Sequence, residues 1–239
     1  MTMTKPPVPM VGAASRAATV TYPESDGQPM ADNTRQFEYI VKIHTGIAAQ
    51  FREDPNVFIG GDLLWYPVEG DNKTRVAPDV LVAFGRPKGH RGSYMQWQEG
   101  GIAPQVVFEV MSPGNSWSEM IRKHRFYDQF GVDEYYLYDP DRGELTGWIR
   151  RSPGDRLESI DDMDGWVSPR LNVTLRLVDD ELVLTHPDGH RFETAVELEA
   201  RVETEYRRAE GERRRAEEEQ RRADRLAEQL RAMGVEPVD

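Results

Sequence analysis

The chain contains no cysteine. That excludes a disulfide framework and any zinc or iron site built on thiolates, and it suits a reducing compartment. It also lacks an apolar run approaching the roughly 18 residues that a membrane-spanning helix needs. No compact apolar stretch follows basic residues at the N-terminus, so no secretory leader is expected. The expectation is a cytoplasmic protein without a membrane partner. Positive charge is in deficit too: 42 acidic residues stand against 30 basic ones, a formal net charge of −12. This counts against a protein that coats itself with nucleic acid through bulk electrostatics. Any contact with phosphates has to come from an uneven local distribution of charge.

What is present suits one ordinary domain with extensions: 239 residues, 38% hydrophobic and 30% charged. Met1 to Ala31 is rich in Pro, Ala and Thr and reads as a disordered tail (residues 1–31). The domain proper is expected over residues 32–190. From about Glu193 the composition shifts to Arg, Glu and Ala without Pro, which predicts one long charged helix over 193–233. Opposite charges recur there at four-residue separations, as in Glu210–Arg214 and Glu218–Arg222. Its seam of Ala209, Ala216, Ala223, Ala227 and Leu230 is interrupted by Arg213 and Gln220, a poor coiled-coil core. Leu226, Leu230 and Met233 make a better patch for a second copy. A homodimer through a coiled coil is one expectation and a solvated tail the other.

Within the domain, Phe37, Ile40, Val41, His44, Ile47 and Phe51 recur at helical spacing, predicting a helix over 32–53 that Asp54-Pro55 closes. A strand from Val57 runs through Gly60-Gly61 towards Tyr66. Another spans Asp79 to Phe84, with Pro78 at its start, where a missing N–H does no harm. Gly85 to Pro104 is a long loop. The nearly unbroken apolar run from Gln105 to Met111 implies a strand buried on both faces. Ser116 is placed to cap a helix over Trp117–Phe130, with Glu119 as its capping-box partner and Gly131 ending it. Strands follow over Glu134–Tyr138 and Leu145–Arg150, and shorter ones to Leu184.

Three residues stand out chemically. Asp79 opens an apolar strand. Glu109 sits inside Val106-Val107-Phe108-Glu109-Val110-Met111, where an ionised carboxylate is costly unless it is paired or binds a metal. Lys123 shares a helical stripe with Met120, Phe126, Tyr127 and Phe130 and so faces inward. Two carboxylates suit a hard cation such as Mg²⁺ or Mn²⁺. Such a cation, with an ammonium beside it, is the equipment for attack by water on a phosphodiester. The bland readings are a solvent-facing acid at Asp79, a paired core carboxylate at Glu109 and a snorkelling lysine at Lys123. Replacing Glu109 by Ala is expected to abolish cleavage and to leave the fold intact or more stable.

Four blocks in order carry a resemblance. They are Pro78-Asp79-Val80-Leu81-Val82; Phe108-Glu109-Val110-Met111-Ser112-Pro113; Lys123-His124-Arg125-Phe126-Tyr127; and Gly131-Val132-Asp133-Glu134-Tyr135-Tyr136-Leu137-Tyr138-Asp139-Pro140. Their spacing resembles the Uma-type family of restriction-endonuclease-like proteins, within the PD-(D/E)XK nuclease superfamily, over roughly Asn33 to Arg151. The resemblance implies an α/β, restriction-endonuclease-like core with a central mixed β-sheet flanked by helices. It implies Asp79 and Glu109 as Mg²⁺ or Mn²⁺ ligands, joined by the backbone carbonyl of Val110, with Lys123 as the catalytic lysine and DNA as substrate. One departure from the superfamily pattern is that Met111 stands where the simple motif has its lysine, so that Lys123 on the next helix has to serve.

Weaker candidates complete the list. Glu38 is read as an additional acid bordering the metal site, against the commoner solvated helix face. His44 reads as a satisfied core histidine and Asp62 as a turn residue. Arg86, Lys88 and Arg91 on the long loop are candidates for phosphate contacts, with Tyr94 or Trp97 for base stacking; Arg122 and Arg125 flank Lys123. The functional expectation is a metal-dependent DNA endonuclease. The alternative is a non-catalytic module of the same fold that binds nucleic acid or self-associates through its last helix.

Overall fold

The computed structural model describes residues 20–233. It is a mixed α/β protein with a central mixed sheet, as the resemblance implies, and a long C-terminal helix. Helix α1 (Thr34–Gln50) is capped by Asn33, whose side chain accepts the Gln36 N–H. Strands β1 (Val57–Gly61), β3 (Val80–Phe84), β5 (Val106–Val110), β6 (Glu134–Asp139), β7 (Glu144–Ile149) and β8 (Glu158–Ser159) form one six-stranded sheet in the order β1-β3-β5-β6-β7-β8. Pairing is antiparallel except between β5 and β6, which run parallel because α2 (Trp117–Phe130) crosses over between them. A smaller sheet joins β9 (Trp166–Val167), β10 (Thr174–Val178) and β11 (Glu181–Thr185), and β2 (Trp65–Tyr66) pairs with β4 (Tyr94–Met95). Helix α3 spans Ala195–Ala232.

Strand parity sorts the core into two layers. Even positions Val80, Val82, Val106, Phe108 and Val110 face α1, where they meet Tyr39, Ile40, Ile43 and Ile47. Odd positions Leu81, Ala83, Val107 and Met111 face α2, where they meet Met120 and Tyr127. Burying each large apolar side chain is worth about 2 kcal/mol, which holds both helices to the sheet. Asp79 and Glu109 have the odd parity and therefore belong to the α2 face.

Several expectations change. The first helix starts and stops inside the expected 32–53. The first strand does not run on to Tyr66: it breaks at Asp62, whose φ of 47° lies in the left-handed region. The expected capping box at Ser116 is half formed, for Ser116 accepts the Glu119 N–H but the Glu119 carboxylate lies 3.5 Å from the Asn115 amide nitrogen. The complete box is at α3, between Thr194 and Glu197. Of the expected disordered tail, residues 1–19 lie outside the described residues. Residues 20–31 are placed against the domain, because Tyr22 packs on Tyr66 and Trp97 at centroid distances of 5.2 and 5.1 Å. Helix α3 has no buried residue. Among the described residues, no helix is long and apolar enough to cross a membrane.

Candidate active site

The register of β3 on β5 places the first acid. Val80 stands opposite Phe108, so the next step puts Asp79 opposite Glu109 with both side chains on the α2 face. An Asp79 Oδ accepts the Val110 N–H at 2.7 Å. Helix α2 then delivers Lys123, whose Nζ lies 2.8 Å from Glu109 Oε2 and 3.4 Å from the Ala77 carbonyl oxygen. One turn further on, the Tyr127 hydroxyl donates to Glu109 Oε1. Asp79, Glu109 and Lys123 are thus brought together. Glu109 is 2% exposed, Asp79 8% and the Lys123 side chain 15%.

The electrostatics follow from that burial. The Asp79 carboxyl is pushed well above the ordinary carboxylate range, first by desolvation and then by the Glu109 carboxylate opposite. Burial pulls Lys123 down, but Glu109 and Asp79 together outweigh it and leave the ammonium above its usual value. Tyr127 is also pushed up, by burial and by Glu109, so its proton stays in the hydrogen bond. Two carboxylates and one ammonium leave an excess of one negative charge when all are ionised. A hard divalent cation fits that donor set: the oxygens are anionic, and a second positive charge would relieve the repulsion that raises Asp79.

Of the two weaker expected ligands, the Val110 carbonyl accepts the Gln36 Nε2–H at 2.8 Å, which occupies one of its two lone pairs. Glu38 is exposed on the outer side of α1. The helix instead turns Gln36 inward, because Gln36 lies in phase with Ile40, Ile43 and Ile47 and Glu38 does not. Among the described residues, no group of three or more His, Cys, Asp or Glu side chains is arranged to hold a metal.

The basic loop is committed elsewhere. Arg86 and Arg91 both pair with Glu99, at 2.8 and 2.6 Å. Lys88 Nζ caps the end of α1 through the carbonyls of Phe51 and Arg52. Tyr94 is fully buried, with its hydroxyl on the Ile102 carbonyl, and Trp97 packs on Tyr22. Each of these five residues has a partner within the fold and helps to shape that loop. His44 is half-buried and burial lowers its pKa, in keeping with a core histidine.

The cations near the site are others. A cavity of about 510 Å³ is lined by Asp79, Lys123, Asp62, Gln36, Arg75 and Arg122. Arg75 follows the turn before β3 and Arg122 precedes Lys123; Arg125 lies outside the lining. Asp62 is more than a turn residue. Its N–H donates to the Asp79 carbonyl at 3.2 Å, and its carboxyl is raised by burial and by Asp26. Sequence reasoning missed Gln36 and Arg75. For Gln36 a signal existed, since extending the stripe Ile47–Ile43–Ile40 by one turn reaches it.

Comparison with known proteins decides the family. The profile of Uma2, described as "Putative restriction endonuclease", matches residues 25–176. The chain belongs to the Uma2 family. Uma2 is a nuclease-like family, and the matched region contains Asp79, Glu109, Lys123 and Tyr127. Solved structures that resemble this one include a putative nuclease belonging to DUF820 from Anabaena variabilis, at 17% identity and a TM-score of 0.44, covering 59% of this chain and 75% of that one. No curated protein matches the chain.

Proposed function

We propose that this Uma2 protein is a metal-dependent endonuclease that hydrolyses phosphodiester bonds in DNA at Asp79, Glu109 and Lys123. The observation that supports this most is the buried pair of facing carboxylates with a lysine bonded to one of them, of which Asp79 and Lys123 line a cavity flanked by Arg75 and Arg122 and Glu109 lies behind them. Asp79 and Glu109 would hold Mg²⁺ or Mn²⁺. When bound, such a cation would supply water of lowered pKa and positive charge against the pentacoordinate transition state.

The chain's own groups do the rest. The Val110 N–H fixes the Asp79 carboxylate, and Tyr127 and Lys123 fix Glu109 one oxygen each, so neither carboxylate has to reorganise. Gln36 holds the Val110 carbonyl and with it the strand carrying both groups. Lys123 stays protonated next to the carboxylates and presents a fixed positive charge to the scissile phosphate. Arg75 and Arg122 orient the flanking phosphates. Helix α3, with no face buried, serves self-association.

The test is cleavage of supercoiled plasmid and linear duplex by the full chain in Mg²⁺, in Mn²⁺ and in chelator, beside Glu109→Gln. Metal-dependent nicking by the parent, reduced at least about a hundredfold in the variant, is the expected result. Equal nicking by both rejects the site. Tight DNA binding without cleavage in either metal favours the non-catalytic module.

A further inference from the structure

We infer that the segment Tyr22–Asp32 is an acidic, autoinhibitory strap over this site, which has to lift before a phosphodiester can enter. The inference rests on the nuclease reading above.

The strap lies over the same cavity as the catalytic set: Asp26, Gln28, Pro29, Met30, Ala31 and Asp32 line it together with Asp79 and Lys123. Its charge is wrong for a substrate-binding wall. Between Val20 and Asp32 there are three carboxylates, Glu24, Asp26 and Asp32, and no lysine or arginine. Asp26 is near enough to Asp62 and Tyr66 to raise the pKa of each, after the larger effect of burial, and Tyr66 also meets Arg75. A carboxylate therefore already lines the cavity that Arg75 lines, where an incoming phosphate would go. Like charges so juxtaposed disfavour entry strongly.

Both ends are latched. At the N-terminal end, Tyr22 packs against Tyr66 and Trp97 and its hydroxyl accepts the Gly70 N–H. The Tyr66 hydroxyl donates to the Pro23 carbonyl at 2.8 Å, and the Asn72 amide to the Thr21 carbonyl at 2.8 Å. At the other end the Ser112 hydroxyl donates to Asp32, and the Asp32 N–H donates to Gln36 Oε1 at 2.8 Å. The surface leaves room for this path. A Cβ at Gly92 would fall 2.2 Å from the Glu24 carboxyl, and one at Gly114 2.4 Å from an Asp32 oxygen.

Between the latches the grip is light. Glu24 to Met30 are all exposed, and their side-chain hydrogen bonds are local ones, Gly27 N–H to Ser25 and Gln28 N–H to Asp26. A segment with few buried contacts opens at a low free-energy cost. Latched ends, a lightly held middle and substrate-like charge over the catalytic groups together make a gate.

The experiment measures binding of a fluorescein-labelled DNA duplex by anisotropy in Ca²⁺, using the full chain, Tyr22→Ala and Asp26→Asn. Amide hydrogen exchange over 20–32 is followed in the same proteins. The closed strap lowers the binding-competent fraction, so Tyr22→Ala is expected to bind about tenfold tighter. Its exchange over 20–32 should be faster, with Val80–Phe84 unchanged. Asp26→Asn should tighten binding without faster exchange. Equal, measurable affinities in all three proteins overturn the strap and leave the nuclease reading standing. Weaker binding by the variants also overturns it, by making the segment part of the substrate surface. No binding by any of them, with exchange still faster in Tyr22→Ala, overturns the nuclease reading and the inhibitory role with it.

Discussion

Glu109 has a partner on each oxygen, so the effect of removing it depends on what replaces it. From sequence, an isolated buried carboxylate predicts that Glu109→Ala is neutral or stabilising. The Lys123 and Tyr127 bonds reverse that. Alanine leaves a largely buried ammonium and a fully buried hydroxyl without their acceptor, which is expected to cost about 3 kcal/mol. Glu109→Gln keeps one acceptor oxygen, for Lys123, and its NH2 can donate to the Tyr127 oxygen instead, so it is expected to cost less, about 1 kcal/mol. Urea unfolding of the two variants checks this; an alanine variant as stable as the parent would show that these bonds carry no stability. Glu99 gives a pH signature. Its pKa lies below the ordinary 4.5 because Arg91 and then Arg86 bond it against the opposing effect of burial. A depressed folded pKa means stabilisation present above the unfolded value and lost as pH falls through the folded one. Glu99→Gln is therefore expected to lower stability at pH 7 by about 2 kcal/mol. The difference from the parent should shrink as pH falls below about 4.5; a constant difference from pH 7 to pH 3 would refute the assignment.

Elements differed in how far they could be read from sequence. The strands around Asp79 and Glu109 were legible because buried strands are apolar runs bounded by breakers, and α2 because Ser116 and Gly131 mark its ends. What pairs with what was not legible. Asp79 faces Glu109 through the β3–β5 register, which arises from packing between segments far apart in sequence. The loop cations misled for the same reason: Arg86 and Arg91 meet Glu99 only once β4 and its turn have formed. The N-terminal segment looked disordered because its composition is polar and Pro-rich, while its anchor is one aromatic residue fitting between Tyr66 and Trp97. Helix α3 was legible as an element, since its ion pairs are local, but the pairs that form among the described residues include Glu203–Arg207, Arg208–Glu212 and Arg213–Glu217 and not the expected Glu210–Arg214 and Glu218–Arg222. Truncation after Thr194 is expected to leave the thermal midpoint within a few degrees of the parent, because nothing in α3 is buried. A large loss of stability would place the helix inside the folding unit, against the proposed boundary.

At the scale of the whole molecule, α3 is about 57 Å of helix with Leu226 and Met233 exposed at its far end. That end packs on nothing else among the described residues, and a second copy along it is the simplest partner. Light scattering is expected to show a dimer for the full chain and a monomer for the truncation; equal mass per core would reject self-association. The net charge of −12 is not offset at the site, because Arg75, Arg122 and Lys123 share their cavity with Asp26, Asp32, Asp62, Asp79 and Glu119; phosphate entry therefore depends on the proposed cation and on lifting of the strap. The central claim is that Asp79 and Glu109 form a cation site, and it can be tested without knowing the substrate sequence. The measurement is Mn²⁺ binding to the full chain and to Asp79→Asn by electron paramagnetic resonance, with calorimetry in two buffers of different ionisation enthalpy. The account predicts one site per chain, lost in the variant, and proton release on binding because Asp79 starts with a raised pKa. Mn²⁺ binding equal in parent and variant, or absent from the parent, would contradict it.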